Sequence, residues 1–270
     1  MSEQDTIERT DVPITTEKLE TDLRNIGVSA GDTVLVHSSL SALGWVSGGA
    51  PAVVDALQSV ITENGTLVMP THTSGHSNPE SWQNPPVPEN WKDEIRATMT
   101  PYRPEITPTR GMGAIPETFR NYPDVVRSRH PHYSFAAWGS DAESAVTDHE
   151  YDFGLGEPSP LADVYDRDGT VLLLGAGYDS NTSLHLAEHR GDYEKEIVTD
   201  GAPVLEDGDR KWISVEGLDI DDSDFDQVGE AFEKKRPEAI TRRQVGNAET
   251  VRMSQRELVD FASEWFNRNR

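Results

Sequence analysis

The sequence predicts an α/β fold, an open mixed sheet with helices on its faces. Three observations carry the prediction. TVLV (33–36) and TLVMP (66–70) are short apolar runs of strand length, and the helical pattern GGAPAVVDALQSVITENG lies between them. Polar residues stand just past each run, HSSL after the first and THT after the second. Open α/β sheets gather their ligands at such strand ends. A third run, TVLLLGAG (170–177), reads as the clearest buried strand and feeds straight into the polar stretch YDSNTSLHLAEHR.

The elements follow in order. Residues 1–12 are polar and read as a flexible tail. TTEKLETDLRNIGV reads as a helix capped by Thr15 or Thr16, with Leu19, Leu23 and Ile26 on one face and Gly27 as its stop. A Gly-Asp turn enters the first strand. Pro51 near the start of the next helix and Asn64-Gly65 after its end fit helix boundary chemistry. From 75 to 110 the chain is rich in Pro, Asn and Trp and reads as a long loop. Structureless loops of that length are uncommon unless they cover a site. A short helix around 115–120, a turn at Tyr122-Pro123, a strand at 134–139 and a short helix in SPLADVYDRDG lead to the third apolar run. Beyond 192, GAPVLEDGDRK and the Trp212, Ile213, Val215 stretch form a ribbon turning at Asp207-Gly208. FDQVGEAFEKK and SQRELVDFASEWF read as closing helices. With no internal repeat and no linker, residues 13–270 are expected to form one domain, with 193–270 as its C-terminal accessory portion.

Composition narrows the function classes. The 270 residues suffice for a sizeable core. Asp plus Glu number 48 against 24 Lys plus Arg, a formal net charge of −24. Such a surface repels nucleic acid and anionic lipid and attracts cations, and concentrated salt would screen its self-repulsion. A salt-adapted protein is the expectation. With no Cys, disulfides, thiolate metal sites and a Cys nucleophile are excluded. MSEQDTIERTDVPITTEKLE lacks the apolar core of a secretory signal, and no run approaches a membrane span. The chain therefore reads as soluble and cytoplasmic.

Three stretches carry candidate chemistry. In NTSLHLAEHR, Asn181, Thr182 or Ser183 can cap a helix. His185 and Glu188, three apart, then share one helical face. Glu188 can orient His185, and an imidazole is a natural general base at neutral pH. A capped helix with a surface pair is the plain alternative. In VHSSL, His37, Ser38 and Ser39 stand just past a strand. This is no G-x-S-x-G elbow, so anion or amide binding by hydroxyls and backbone N–H groups competes with ordinary loop polarity. RHPHYSF, with His72 and His76, supplies imidazoles, but their spacing fits no metal motif, and no metal is expected. GAG at 175–177 does not complete a dinucleotide fingerprint, and no P-loop occurs.

Taken together, VLVHSSLSALGWVSGGAPAVVDAL, GTLVMPTHT, GAIPETFR with YPDVVRSRHPHYSFAAWG, GEPSPL and VLLLGAGYDSNTSLHLAE resemble the aminoglycoside 3-N-acetyltransferase family, in matching order from about 30 to 192. The resemblance implies a fold distinct from the GCN5-like acetyltransferases. It also implies acetyl transfer from acetyl-coenzyme A to the 3-amino group of an aminoglycoside or a similar small cationic amine. His185 falls on the expected general base and Glu188 on its acidic partner. Thr182 falls near the thioester, and the long acceptor-side insertion, over 75–105, is expected to help form the acceptor pocket. The HSSL segment, His37, Ser38, Ser39 and Leu40, falls where the pantetheine and pyrophosphate bind. His130 and Ser134 lie in the HPxxSF motif, with a structural or a cofactor-facing role, and Ser134 is taken with the cofactor contacts. Direct transfer needs a base to deprotonate the ammonium, and donors for the developing oxyanion at 37–40 or Thr182. A serine-nucleophile acyl enzyme and a non-catalytic coenzyme A-binding protein stay open as rivals, and a homodimer is compatible with either.

Overall fold

The computed structural model describes residues 3–270. Part of the segment read as a tail is a helix, α1 (Glu3–Glu8). It is docked rather than loose: the Trp45 backbone N–H donates to Thr10 Oγ1 at 2.8 Å, and Trp45 Nε1 donates to Glu3 at 3.4 Å. α2 (Thr16–Asn25) is capped by Thr15, which accepts from the Lys18 N–H, and it buries Leu19 and Leu23. β1 (Thr33–Ser38) extends past the apolar run to include His37 and Ser38. α3 (Gly49–Ile61) and β2 (Thr66–Pro70) complete the first strand–helix–strand unit. The insertion that follows contains a helix, α4 (Lys92–Thr98), and Glu80 anchors Lys92 at 2.7 Å and Arg96 at 3.0 Å.

The chain continues through α5 (Ala114–Phe119), β3 (Val126–Arg127), β4 (Phe135–Gly139), α6 (Ala142–Thr147) and α7 (Pro160–Asp166), the last capped by Ser159. β5 (Thr170–Leu174) leads to α8 (Ser183–Arg190). The ribbon is β6 (Ile197–Glu206) and β7 (Asp209–Leu218), turning at Asp207-Gly208 as expected. α9 (Phe225–Lys235), β8 (Ile240–Val245), β9 (Ala248–Ser254) and α10 (Gln255–Asn269) close the chain.

The main sheet has the order β3-β4-β2-β1-β5-β9-β8. Its centre is parallel, β2-β1-β5, and its wings are antiparallel. Val34 and Val36 pack with α2, α3 and α5 on one face, and Leu35 packs with α7–α10 on the other. A strand buried on both faces has no polar alternation to show, which is why β1 reads as a continuous apolar run.

Residues 193–270 are more than an accessory. Only the β6–β7 ribbon stands apart as a second sheet, while β9 pairs with β5 and α10 buries Leu258, Val259, Ala262 and Phe266 in the core. The insertion leans on the ribbon. Tyr102 N–H donates to Pro203 O at 2.8 Å, and Asn78 N–H donates to Asp200 at 2.7 Å.

Candidate active site

β1 and β5 are paired so that Ser38 stands opposite Leu174, and both strands end at one level. The chain leaves β5 through Gly175, at φ +69°, where a Cβ would lie 2.6 Å from that of Ala42. Only glycine fits that close turn without strain. At these strand ends lies a cavity of about 310 Å³, walled by His37, His72, Tyr133, Asp179, Thr182 and His185 among others. The position matches the rule for open sheets, since β1 is continued by β2 on one side and β5 pairs on the other. A groove of about 630 Å³ adjoins it, sharing Ser38, Gly111 and Met112 as walls and running past Ser39, Leu40, Trp45 and Gly49 to Glu3 and Thr6 of α1.

α8 places His185 at the cavity wall and Glu188 behind it. His185 Nδ1 lies 2.5 Å from Glu188 Oε2. Nδ1–H donating to the carboxylate leaves the Nε2 lone pair directed away from Glu188, toward the cavity that the ring lines. Phe225 packs beside the ring at a centroid distance of 4.9 Å. The Glu188 side chain is 2% exposed, and its other oxygen accepts from Arg270 Nη1 at 2.5 Å and from the Asp221 N–H at 3.1 Å. Burial alone would raise this carboxyl, but the bonds from His185, Arg270 and Asp221 outweigh it and hold Glu188 below the ordinary carboxylate range.

Of the three residues that could cap this helix, Asn181 supplies the side-chain bond. Thr182 occupies the cap position with no capping bond, and Asn181 Oδ1 accepts from the Ser183 N–H instead. That frees the Thr182 hydroxyl, which lies 3.4 Å from His37 Nε2 at the cavity wall. Burial, reinforced by His185, lowers His37 to about 3, so its ring is neutral. His72 is lowered to about 3 for the same reason.

The groove carries hydrogen-bond donors suited to an anionic chain. Ser38 Oγ is buried and without a partner. α3 begins after Gly48, a left-handed residue at φ +92° with no side chain to cap the helix; the Gly49 N–H donates to Val46 O at 3.0 Å and Pro51 has none, so the first turn offers the Ala50 N–H. Ser39 and Leu40 line the same wall.

The HPxxSF motif is placed elsewhere. Ser134 is fully buried and lines neither cavity; its hydroxyl donates to Thr71 O at 2.7 Å and accepts from Arg127 Nε at 3.2 Å. With its hydroxyl committed between β2 and β4, it braces the sheet rather than facing the groove. His130 accepts the His132 and Tyr133 N–H groups at Nδ1 and meets Tyr151 O through Nε2 at 3.0 Å. Both of its ring nitrogens are therefore bound to backbone. None of residues 75–110 lines the cavity; the residues that flank them, His72 on one side and Gly111-Met112 on the other, do. Among the described residues, no group of three or more His, Asp or Glu is placed to hold a metal, and no helix is long and apolar enough to cross a membrane. Arg270 was invisible to sequence reasoning, because nothing local ties it to a carboxylate 82 positions away.

The parallel-centred sheet carries a His–Glu pair, a cavity and an adjoining groove at its strand ends. The chain belongs to the aminoglycoside 3-N-acetyltransferase family, whose model matches residues 35–267, and it is an acyltransferase. It is 48% identical to the SPbeta prophage-derived aminoglycoside N(3')-acetyltransferase-like protein YokD of Bacillus subtilis, over 97% of this chain and 96% of that protein. The crystal structure of YokD superposes with a TM-score of 0.96, covering 98% of both chains at 47% identity. A structure of AAC-IIIb binary with CoASH matches at TM-score 0.85 and 27% identity, covering 95% and 97%. A structure of AAC-VIa bound to sisomicin matches at 0.85 and 29%, covering 95% and 98%. The fold is thus that of the aminoglycoside acetyltransferases and not GCN5-like, and the family uses acetyl-coenzyme A.

Proposed function

We propose that this protein transfers an acetyl group from acetyl-coenzyme A to the 3-amino group of an aminoglycoside or a similar cationic amine, by direct transfer with His185 as general base. The observation that carries the reading is the His185–Glu188 pair at the wall of a cavity that opens into the Ser38–Leu40 groove. The relatives bound to CoASH and to sisomicin support the two ligand classes.

The residues divide the work. Ser38, Ser39 and the start of α3 would hold the phosphate and pantetheine portions through hydroxyls and N–H groups, with Leu40 as an apolar wall and His37 at the junction. Bound acetyl-coenzyme A supplies an activated acetyl thioester. An ammonium has no lone pair, so His185 Nε2 accepts its proton, and Glu188 at Nδ1 stabilises the imidazolium that results. The hydroxyls of Thr182 and Ser38 are the donors offered to developing negative charge, since the Ser39 N–H is spent on Leu174 O at 3.0 Å. Asp179, exposed at the cavity mouth, suits a cationic acceptor. Neither Ser38 nor Ser39 bonds an imidazole among the described residues, so the serine-nucleophile alternative lacks its base. The charge of −24 supports a protein that works in concentrated salt.

The test is thiol release from acetyl-coenzyme A in molar KCl, with a panel of aminoglycosides and linear polyamines, and the acetylated nitrogen located by NMR. Turnover with modification at the 3-amino group is expected. A folded protein with no turnover on any amine in the panel, or one that accumulates a covalent acyl-protein, refutes the reading.

A further inference from the structure

We infer that Arg270 is a positioning residue for acetyl transfer, fixing the Glu188 carboxylate and through it the His185 imidazole. The inference rests on the reading of His185 as general base.

The geometry is specific. The two Glu188 oxygens have different partners: Oε2 meets His185 Nδ1 and Oε1 accepts from Arg270 Nη1, each at 2.5 Å, with the Asp221 N–H a longer second donor to Oε1 at 3.1 Å, on a residue whose carbonyl Arg270 also holds. A carboxylate held at one oxygen can still swing about its terminal torsion. Held at both, its plane is set, and so is the imidazole that donates to it. Arg270 is itself over-determined. Its Nε and Nη2 donate to Asp224 at 2.9 and 2.5 Å, Nη2 donates to the Asp221 carbonyl at 2.6 Å, and Nη1 reaches the Tyr193 hydroxyl at 3.3 Å. The guanidinium stacks over Phe266 at 4.1 Å, and the side chain is 14% exposed.

Asp224 matters as much as Glu188 in this arrangement. It supplies a second carboxylate to the guanidinium, so Glu188 is not the sole counter-charge and keeps negative character for His185. A planar fork is needed to serve both acids at once, which a lysine cannot do. Arg270 does not line the catalytic cavity. It lines a separate cavity of about 320 Å³ on the far side of Glu188, so it touches neither acceptor nor donor.

A merely structural role must be separated from a positioning one, because Arg270 also ties α8, α10 and the 221–224 turn together. Four proteins form a cycle: wild type, Arg270→Met, Glu188→Gln and the double variant, with kcat, KM for acetyl-coenzyme A and melting temperature measured on each. Arg270→Met is expected to lower kcat by roughly 10- to 100-fold with KM nearly unchanged. In the Glu188→Gln background it is expected to add less than about twofold, since its effect passes through the carboxylate. Nitrogen-15 NMR of the unliganded protein gives a readout independent of turnover. The His185 ring is expected as the Nδ1–H tautomer in wild type and as a mixture in Arg270→Met. Should Arg270→Met fail to fold, Arg270→Lys carries the same cycle, with a smaller loss expected. An equal loss of kcat in both backgrounds, or an unchanged kcat and tautomer in the folded variant, overturns the inference while His185→Ala remains inactive. A His185→Ala protein with near wild-type turnover instead removes the base reading itself, a result the cycle does not produce.

Discussion

Two regions carry histidines with bonded rings, and they differ in what the ring nitrogens meet. In the 128–154 region, His130 is bound to backbone at both nitrogens, and His149 lies between Ser128 Oγ at 2.9 Å and Gly154 O at 2.7 Å. In α8, His185 has a carboxylate at Nδ1 and a cavity at its other edge. A ring with both nitrogens committed can only hold a structure. A ring with one nitrogen oriented and the other unspent can exchange a proton with a ligand. Histidine content alone does not distinguish the two regions; their partners do.

The largest expected effect tests this contrast directly. His185→Ala should lower turnover by roughly 10²–10⁴-fold, with little change in coenzyme A affinity or melting temperature. His149→Ala should do the reverse, lowering the melting temperature while the folded fraction keeps its kcat. Steady-state kinetics, titration calorimetry and thermal melts on the same preparations check both. The contrast breaks if His149→Ala loses turnover in a folded protein or His185→Ala keeps it.

Proton linkage sharpens the comparison on the structural side. Burial lowers His149 from 6.5 to about 4, against a weaker opposing bond to Gly154 O. Between those values the unfolded chain takes up a proton that the folded protein refuses. Stability therefore falls as pH drops from 6.5 to about 4 and levels off below. About 2 kcal/mol of this one group's loss falls between pH 6.5 and about 5, above the ordinary carboxylate range. His149→Gln should make the slope of stability against pH in that window shallower by this group's share, with His37 and His72 still contributing to it, read from denaturant melts. An unchanged slope would show that the ring is not buried neutral.

A smaller effect separates both regions from the surface. Raising KCl from about 0.1 to 2 M should raise the melting temperature by screening a net charge of −24. The His149 pH slope should persist at both salt concentrations, because buried groups are screened less. Loss of that slope in high salt would assign it to surface charge.

Much of the site was legible because its signals are local. His185 and Glu188 are three apart on a helix that follows an apolar strand, and Ser38 and Ser39 directly follow another. What escaped is held by contacts across the chain. β8 reads ITRRQV, a charged edge strand without apolar alternation, and its pairing with β9 is set by the Gly246-Asn247 turn and the core beyond it. α1 is too short and polar to signal itself, and it forms where Trp45 and Thr10 hold it. The assignment of Ser134 to the cofactor followed motif likeness, and only the packing of β2 against β4 shows where its hydroxyl goes.

The walls of the groove include no lysine or arginine among the described residues, and their one charged side chain is the acidic Glu3. A phosphate-bearing ligand there would be gripped by amide dipoles and hydroxyls at contact range, not by cations acting over a Debye length. Ion-pair recognition of nucleotides fades in brine, whereas a lattice of short donor contacts is largely indifferent to it. With coenzyme A bound there as proposed, such a groove would act as a brine-tolerant nucleotide clasp.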